Sequence, residues 1–127
     1  MKTAAIAVIK QNDRYLTVSR RHDPFDMGFP GGKIEDGETL IDGLCREVKE
    51  EVDIEVMSLR LLMVRDGFDH EVHVFLIDNW IGEPKSYEGT RVAWLTEDQL
   101  IQQKSFGKFN ENVLQKLKMN ESPSSLC

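Results

Sequence analysis

Three glutamates at helical spacing constrain this chain more than any other feature of its sequence. Glu47, Glu50 and Glu51 stand at positions i, i+3 and i+4 within residues 31–54, after a Pro-Gly-Gly turn. In a helix of 3.6 residues per turn, side chains at this spacing lie on one face. Because like charges so placed repel one another, the pattern indicates a helix that holds a cation. Mg²⁺ is the natural choice, since it prefers carboxylate oxygens.

The apolar residues around these glutamates predict which side of the helix enters the core. We expect a helix from about residue 40 to residue 52, with Thr39 as its N-cap. At about 100° per residue, its apolar stripe consists of Ile41, Leu44, Cys45, Val48 and Val52. Gly43 falls in the acidic sector, where a missing side chain leaves room for a ligand. The alternative interpretation is that the glutamates form an ordinary solvent-exposed face. Such a face usually pairs Glu with Lys at i, i+4, whereas Glu47 here has Glu51 at that spacing, which disfavours this alternative.

Length and charge limit the class of protein. The chain has 127 residues, which fits one domain at residues 1–119 and a short polar tail at residues 120–127. The formal net charge of −6 disfavours stable binding to DNA or RNA, whose protein partners are usually basic. Cys45 and Cys127 form no zinc or disulfide pattern. Since no apolar run suits a signal peptide or a membrane span, we expect a cytoplasmic protein. Monomer and homodimer both remain open as its oligomeric state.

Hydrophobic alternation and turn residues predict the remaining elements. Turn signals at residues 11–13 predict a hairpin between the strands on either side, and residues 22–28 are predicted to form a loop. Strands are expected at residues 3–9, 15–20, 56–64, 71–80 and 91–95, a short helix after Thr96 and a longer helix at residues 110–118. This order predicts an α/β fold in which helices cover a mixed sheet.

The segment around the glutamates resembles the Nudix box, GX5EX7REUXEEXGU, where U is a bulky apolar residue and X is any residue. Gly32 and Glu38 open the motif, residues 46–51 read REVKEE, and Ile54 closes it. The one departure is Asp53, which stands where the box has its last glycine. A helix end often needs a left-handed residue, a conformation that glycine adopts freely and aspartate tolerates.

The resemblance implies the Nudix fold, an α/β/α sandwich around a mixed β-sheet with the box as a loop–helix–loop. It extends to nearly the whole chain. It is closest to the MutT-type members of the family, which hydrolyse oxidised purine nucleoside triphosphates. Outside the box it rests on residues 19–21, 29–35, 80–84, 88–89 and 109–118.

The resemblance also implies roles for individual residues. The metal ligands would be the carbonyl of Gly31 and the carboxylates of Glu47, Glu50 and Glu51. Arg46 would orient the box glutamates, and the general base would be Glu47, Glu50 or the loop residue Glu88. The substrate-binding residues would be Arg21, Phe29 and Asn110 at the base and Lys33 near the phosphates. Asn110 has an amide that can both donate and accept, but it also stands where an N-cap is expected.

The main hypothesis is a Mg²⁺-dependent nucleoside triphosphate pyrophosphohydrolase, in which Mn²⁺ can substitute. Its small-molecule substrate, for example 8-oxo-dGTP, would yield a nucleoside monophosphate and pyrophosphate. The first alternative is a Nudix hydrolase of ADP-ribose, nucleotide sugars or dinucleoside polyphosphates. A nucleotide-binding module without catalysis is a second alternative, which the retention of every box glutamate disfavours.

Overall fold

The computed structural model describes residues 2–66, 69–87 and 89–121, without the side chain of residue 121. These residues form β1 (Lys2–Val8), β2 (Lys10–Gln11), β3 (Arg14–Arg20), β4 (Asp23–Gly28), β5 (Gly31–Lys33), α1 (Leu40–Val52), β6 (Glu55–Asp66), β7 (His70–Ile81), β8 (Val92–Leu95), α2 (Glu97–Ile101) and α3 (Gly107–Glu121). The division into a domain and a tail stays a prediction, because residues 122–127 lie outside the described residues.

The strands belong to two sheets. In the first sheet the order is β5-β1-β7-β6, and β1 runs parallel to β7 while the other neighbours are antiparallel. In the second sheet, β3 pairs with β2, β4 and β8, always antiparallel. The predicted α/β class with a mixed sheet and covering helices is confirmed.

The predicted hairpin between residues 3–9 and 15–20 forms only next to its turn, where the N–H of Leu16 donates to the carbonyl of Ile9 at 2.9 Å. β1 pairs with β5 and β7, and only the short strand β2 pairs with β3 across the turn. The turn itself lies where it is predicted, at Asn12 and Asp13, whose φ values of 54° and 62° are left-handed as a tight hairpin requires. Pairing with distant strands therefore decides the position of β1.

The predicted loop at residues 22–28 is wrong, because most of it forms strand β4. Aspartate, proline and glycine disfavour strands on local grounds. The segment nevertheless pairs with β3, with Val18 opposite Gly28 and Ser19 opposite Met27. A long-range pairing again outweighs the local preference.

The helices cover opposite faces of the sheets. Alternate residues of a strand point to opposite faces, so Ala7 enters one buried cluster and its neighbour Val8 enters the other. The helical members of the first cluster are Leu44, Val48 and Val52 of α1. Those of the second are Leu100 of α2 and Val113, Leu114 and Leu117 of α3. This arrangement gives the layered α/β/α architecture.

Helix α1 has the predicted bounds and the predicted cap. The hydroxyl of Thr39 accepts a hydrogen bond from the backbone N–H of Asp42 at 3.1 Å. At the other end Asp53 adopts the left-handed conformation, with φ 59° and ψ 39°. The glycine position of the box therefore has the backbone geometry that glycine favours, although aspartate occupies it.

Two details of the α1 prediction are wrong. Ile41 is 50% exposed, because the packed row follows i+4 spacing and so begins at Leu40 instead. Gly43 does not leave room for a ligand, since a Cβ there would lie 2.5 Å from Ile34 and 2.9 Å from the Glu38 carboxylate. The space beside Gly43 is filled by the segment that precedes the helix.

The C-terminal helices lie where they are predicted, but α3 extends beyond the predicted residues 110–118 at both ends. Thr96 caps α2 as its position suggests, with its hydroxyl accepting from the N–H of Gln99. Helix α3 begins at Gly107 and not at Asn110, so Asn110 lies inside the first turn and is not the N-cap.

Among the described residues, none of the helices has the length and hydrophobicity needed to cross a membrane.

Candidate active site

A cavity of about 770 Å³ brings the predicted glutamates together with residues from distant parts of the chain. One side is lined by Gly31 and by Glu47, Glu50 and Glu51 of α1. The rest of the lining comes from Ile6, Val18, Ser19, residues 20–23, Gly28, Phe29, Tyr87, Thr90 and Phe106. An acidic wall thus faces a wall that carries basic and aromatic side chains.

Two glycines let β5 pack closely between β1 and the acidic wall. Gly31 has a φ of 149°, and a Cβ there would overlap the backbone of Ala5. A Cβ on Gly32 would lie 2.6 Å from the carboxyl carbon of Glu47. Gly31 lets β5 lie against β1, and Gly32 lets it lie against Glu47. In this position the N–H of Gly31 donates to the Oε1 of Glu51 at 2.7 Å.

Arg46 connects the acids of the box. Its Nη1 donates to Glu47 at 3.1 Å and to Glu50 at 2.8 Å. Its Nε and Nη2 donate to the two oxygens of Glu38 at 2.9 and 2.8 Å, and these hydrogen bonds lower the pKa of Glu38 to about 2. Arg46 also donates to the carbonyl of Lys33 at 3.3 Å. One guanidinium therefore fixes Glu47 and Glu50 relative to the loop before the helix.

The acidic wall carries more negative charge than its surroundings neutralise. Burial raises the pKa of Glu51 to about 7, the charges of Glu47 and Glu50 add to this effect, and the N–H of Gly31 opposes it. Burial also raises the pKa of Glu47, against the effect of Arg46. A cation placed here would favour the ionised carboxylates.

The donor set suits a hard divalent ion, although the side chains are not already arranged around one point. Within the described ranges, no three acidic, histidine or cysteine side chains form a ready-made metal cluster. Mg²⁺ does not need such a cage, because it binds through one or two carboxylates, several waters and substrate phosphates. The surplus negative charge and the all-oxygen wall therefore fit a metal ion that arrives with a phosphorylated ligand.

The aromatic end of the cavity contains Phe29 and Phe106. Phe29 is 8% exposed and contacts Tyr15 edge-on, with ring centroids 6.3 Å apart. Phe106 packs so closely on Gly28 that a Cβ there would lie 2.8 Å from its ring. The guanidinium of Arg20 lies over Phe106, 5.9 Å from the ring centroid. These rings offer a flat apolar surface of the kind that a nucleobase can use.

The structure brings some predicted residues to the cavity and leaves others outside it. Arg21 and Phe29 line it with the α1 glutamates. Lys33 is exposed and borders a neighbouring cavity of about 700 Å³ that also contacts Glu47. Asn110 is fully buried away from the lining, with its Nδ2 donating to the carbonyl of Leu100 at 2.9 Å. Glu88 lies outside the described residues.

Sequence reasoning singled out neither Tyr87 nor Phe106, both of which line the cavity. His22 also lines it, although no motif marks it. The sequence offered one signal for Tyr87: it is an aromatic residue in a predicted loop, and loops often carry binding residues. For Phe106 there was no local signal, because its place depends on contact with Gly28 in a distant strand.

Comparison with known proteins identifies the family. The NUDIX domain model matches residues 1–117. The chain is 32% identical over 122 residues to the 8-oxo-dGTP diphosphatase of Escherichia coli K12, covering 90% of this chain and 94% of that protein. It is 33% identical over 98 residues to an ADP-ribose pyrophosphatase of Methanocaldococcus jannaschii, covering 71% of this chain and 58% of that protein.

A solved structure gives the same result. The crystal structure of a MutT NUDIX hydrolase from Burkholderia pseudomallei matches with a TM-score of 0.74 and 27% identity, covering 86% of this chain and 94% of that one. The acidic helix α1, the close packing of β5 against it and the adjacent cavity therefore occur in a chain that shares its fold with a solved Nudix structure. The chain belongs to the Nudix family and is a Nudix hydrolase.

Proposed function

We propose that this hydrolase converts a purine nucleoside triphosphate into a nucleoside monophosphate and pyrophosphate, and that oxidised purines such as 8-oxo-dGTP are preferred. One observation carries the proposal: an acidic wall suited to metal-bound phosphates and an aromatic end suited to a base share one cavity. The relatives support the substrate class. Besides the Escherichia coli protein, the 8-oxo-dGTP diphosphatase of Haemophilus influenzae is 31% identical, over 85% of this chain and 82% of that protein.

Nudix hydrolases generally use divalent metal ions, and we assign Mg²⁺ to this one, with Mn²⁺ as a substitute. The proposed ligands are the Gly31 carbonyl and the carboxylates of Glu47, Glu50 and Glu51. When bound, Mg²⁺ would neutralise phosphate charge and polarise phosphorus towards attack by water. Arg46 would hold Glu47 and Glu50 in place through the hydrogen bonds that it already makes.

The protein must also remove a proton from the attacking water. A carboxylate within hydrogen-bond reach of that water can act as general base. Glu47 and Glu50 are the candidates in the described part of the cavity wall, and Glu88 is the third. The carboxylate that acts as base would accept the proton while the water oxygen forms its bond to the α- or β-phosphorus and the bridging P–O bond between these two phosphorus atoms breaks.

The base would lie at the aromatic end, bordered by Phe29 and Arg21. Asn110 is still proposed as the reader of the purine edge, although its side chain is fully buried outside the cavity lining and the neighbouring side chains would have to move to expose it. The feature that favours this role is its buried Oδ1, for which the described residues provide no hydrogen-bond donor. Such an unpaired acceptor destabilises the free protein and would gain from a donor on the base. Lys33 is proposed to contact a substrate phosphate from the neighbouring cavity of about 700 Å³, which it lines together with Glu47.

A substrate panel tests the proposal. The purified protein would be incubated with Mg²⁺ and, separately, with 8-oxo-dGTP, each normal NTP and dNTP, ADP-ribose and a dinucleoside tetraphosphate. We expect the highest kcat/KM for 8-oxo-dGTP, with pyrophosphate as product. Flat or absent turnover of every triphosphate would contradict the proposal.

A hydrolase of ADP-ribose is the second candidate, since the archaeal ADP-ribose pyrophosphatase is 33% identical. The chain covers only 58% of that relative, so this likeness is the weaker support. Products separate the two functions, because ADP-ribose cleavage gives AMP and ribose phosphate without pyrophosphate.

A further inference from the structure

Two arginines near strand β4 lie over phenylalanine rings, and the two pairs differ in their surroundings. The guanidinium carbon of Arg20 is 5.9 Å from the ring centroid of Phe106, and that of Arg91 is 5.6 Å from the ring centroid of Phe25. Arg20 and Phe106 line the cavity that the α1 glutamates also line, whereas Arg91 and Phe25, which the structure also describes, lie outside that lining. Two contacts of the same kind therefore differ in their access to a ligand.

Polar contacts hold the guanidinium of Arg20 in the cavity wall. Its Nη1 donates to the hydroxyl of Ser105 at 3.4 Å, and its Nε lies 3.9 Å from the carboxylate of Asp26. That carboxylate is itself fixed, because its side chain is 3% exposed and accepts from the N–H and the hydroxyl of Ser105. Since Ser105 directly precedes Phe106, these contacts tie Arg20 to the segment that carries the ring beneath it.

The same contacts leave part of Arg20 open to a ligand. Its side chain is 56% exposed, although Phe106 and Ser105 contact it. A guanidinium is planar, so one face can lie on an aromatic ring while the other stacks on a nucleobase. Metal-bound phosphates are expected at the α1 glutamates, and Arg20 belongs to the opposite, aromatic wall. The part of a nucleotide that meets Arg20 is therefore the base.

We propose that Arg20 is a base-binding residue: its guanidinium, held over Phe106, provides a surface on which the purine stacks. This role is additional to the roles assigned to Arg21 and Phe29. Stacking uses the π-face that every base has, so Arg20 increases the affinity for the base part of the ligand. The inference rests on the proposed function, because that function places a nucleotide in this cavity.

Three variants test the proposal. Arg20→Met removes the guanidinium and keeps an unbranched, adaptable side chain. Arg20→Lys keeps the positive charge and removes the planar group that stacks. Arg91→Met is the matched control, because it removes the guanidinium from the pair with Phe25, outside the cavity lining. Thermal unfolding of each variant verifies that it is folded.

Calorimetric binding in Mg²⁺ would use two ligands, a non-hydrolysable α,β-methylene dGTP analogue and inorganic tripolyphosphate, which has phosphates but no base. We expect both Arg20 variants to raise the Kd of the analogue roughly fivefold to tenfold, the scale of one partly desolvated cation–π contact. The Kd of tripolyphosphate should stay within about twofold, and Arg91→Met should change neither Kd. With 8-oxo-dGTP as substrate, KM should rise with the Kd of the analogue, while kcat stays within about twofold because the reacting groups are untouched.

The outcomes separate this inference from the proposed function. Wild-type protein that binds the analogue but turns over no triphosphate would contradict the proposed hydrolysis, and the affinities of the variants would still decide the role of Arg20. Equal losses for the analogue and tripolyphosphate would overturn the inference, because Arg20 would then act on phosphate through its charge. Wild-type affinity for the analogue in Arg20→Lys would overturn it for the same reason. A loss in Arg91→Met equal to that in Arg20→Met would overturn it as well.

Discussion

Helix α1 and strand β4 each carry a carboxylate that folding removes from water, and the surroundings of these two groups differ. Glu51 on α1 accepts one N–H, from Gly31, and has Glu47 and Glu50 beside it, so its pKa rises to about 7. Asp26 on β4 is 3% exposed. Burial alone would raise the pKa of Asp26, but hydrogen bonds from Ser105 and the charge of Arg20 outweigh burial and lower it.

The difference shows how the protein uses each charge. Ser105 donates to Asp26 through its N–H at 3.0 Å and its hydroxyl at 2.5 Å. Asp26 is thereby satisfied within the protein, and it anchors the segment before α3 to β4. Among the described residues, Glu51 has one hydrogen-bond donor and two acidic neighbours, so its remaining oxygens are available to a bound cation. The first carboxylate stabilises the fold, and the second is available for binding.

The largest expected effect comes from removing charge on α1. Glu50→Gln and Glu51→Gln should each fold and lower kcat by about 100-fold or more, the usual scale for losing one preorganised electrostatic contact in catalysis. Glu55→Gln, an exposed position on β6, is the control and should keep wild-type turnover. Steady-state kinetics in Mg²⁺, with circular dichroism to verify folding, makes the measurement. Wild-type turnover in both α1 variants would show that the metal-site assignment is wrong.

The same Glu51→Gln change should stabilise the metal-free protein at alkaline pH. The pKa of Glu51 is about 7 in the folded state and has an ordinary value of 4.5, so between these values the folded chain binds more protons than the unfolded chain. Folding stability therefore falls as pH rises from about 4.5 to 7 and stays lowered above that range. The expected gain for the variant at pH 8 is on the order of 2 kcal/mol.

Urea unfolding with EDTA at pH 5 and pH 8 measures this gain. Wild type should lose stability between the two pH values, and Glu51→Gln should lose less. Adding Mg²⁺ at pH 8 should stabilise wild type more than the variant, because the ionised carboxylate is what the cation satisfies. A variant that is less stable than wild type at pH 8 without metal would contradict the claim that Glu51 is strained there.

The sequence predicts the two sides of this comparison unequally. The bounds of α1, its cap at Thr39 and its left-handed end at Asp53 follow from local signals that act within a few residues of one another. The anchor at Asp26 joins residues 79 positions apart, and no local pattern marks either partner. The same reason explains why β4 reads as a loop and why the buried position of Asn110 was missed, since both depend on packing between distant segments.

Asp26 should respond in the opposite direction from Glu51. Its pKa is lowered on folding, so the stability that it contributes is present above its ordinary pKa of 3.8 and is lost as pH falls below that value. Asp26→Asn should therefore destabilise the protein at pH 7, by about 1–2 kcal/mol for a weakened, buried hydrogen-bond pair. Ser105→Ala should cost a similar amount.

A double-mutant cycle by urea unfolding at pH 7 tests that pairing. The combined Asp26→Asn and Ser105→Ala variant should be less destabilised than the sum of the single variants, because both break one contact. Strict additivity would mean that the two residues stabilise the fold independently. In that case the hydrogen bonds from Ser105 would not explain why Asp26 stabilises the fold while Glu51 does not.

The smallest expected effect lies where the anchored segment meets the cavity. Ser105 precedes Phe106, and Phe106 packs on Gly28, where an added Cβ would lie 2.8 Å from the ring. Gly28→Ala should therefore displace the ring while the hydrogen bonds of Asp26 stay intact. A shift of one aromatic wall should change the ratio of kcat/KM between 8-oxo-dGTP and dGTP by about fivefold, the lower range for one added methyl group in a pocket. Competition between the two nucleotides measures this ratio directly. If the ratio stays at the wild-type value while Tm falls, Phe106 serves packing and the base is selected elsewhere in the cavity.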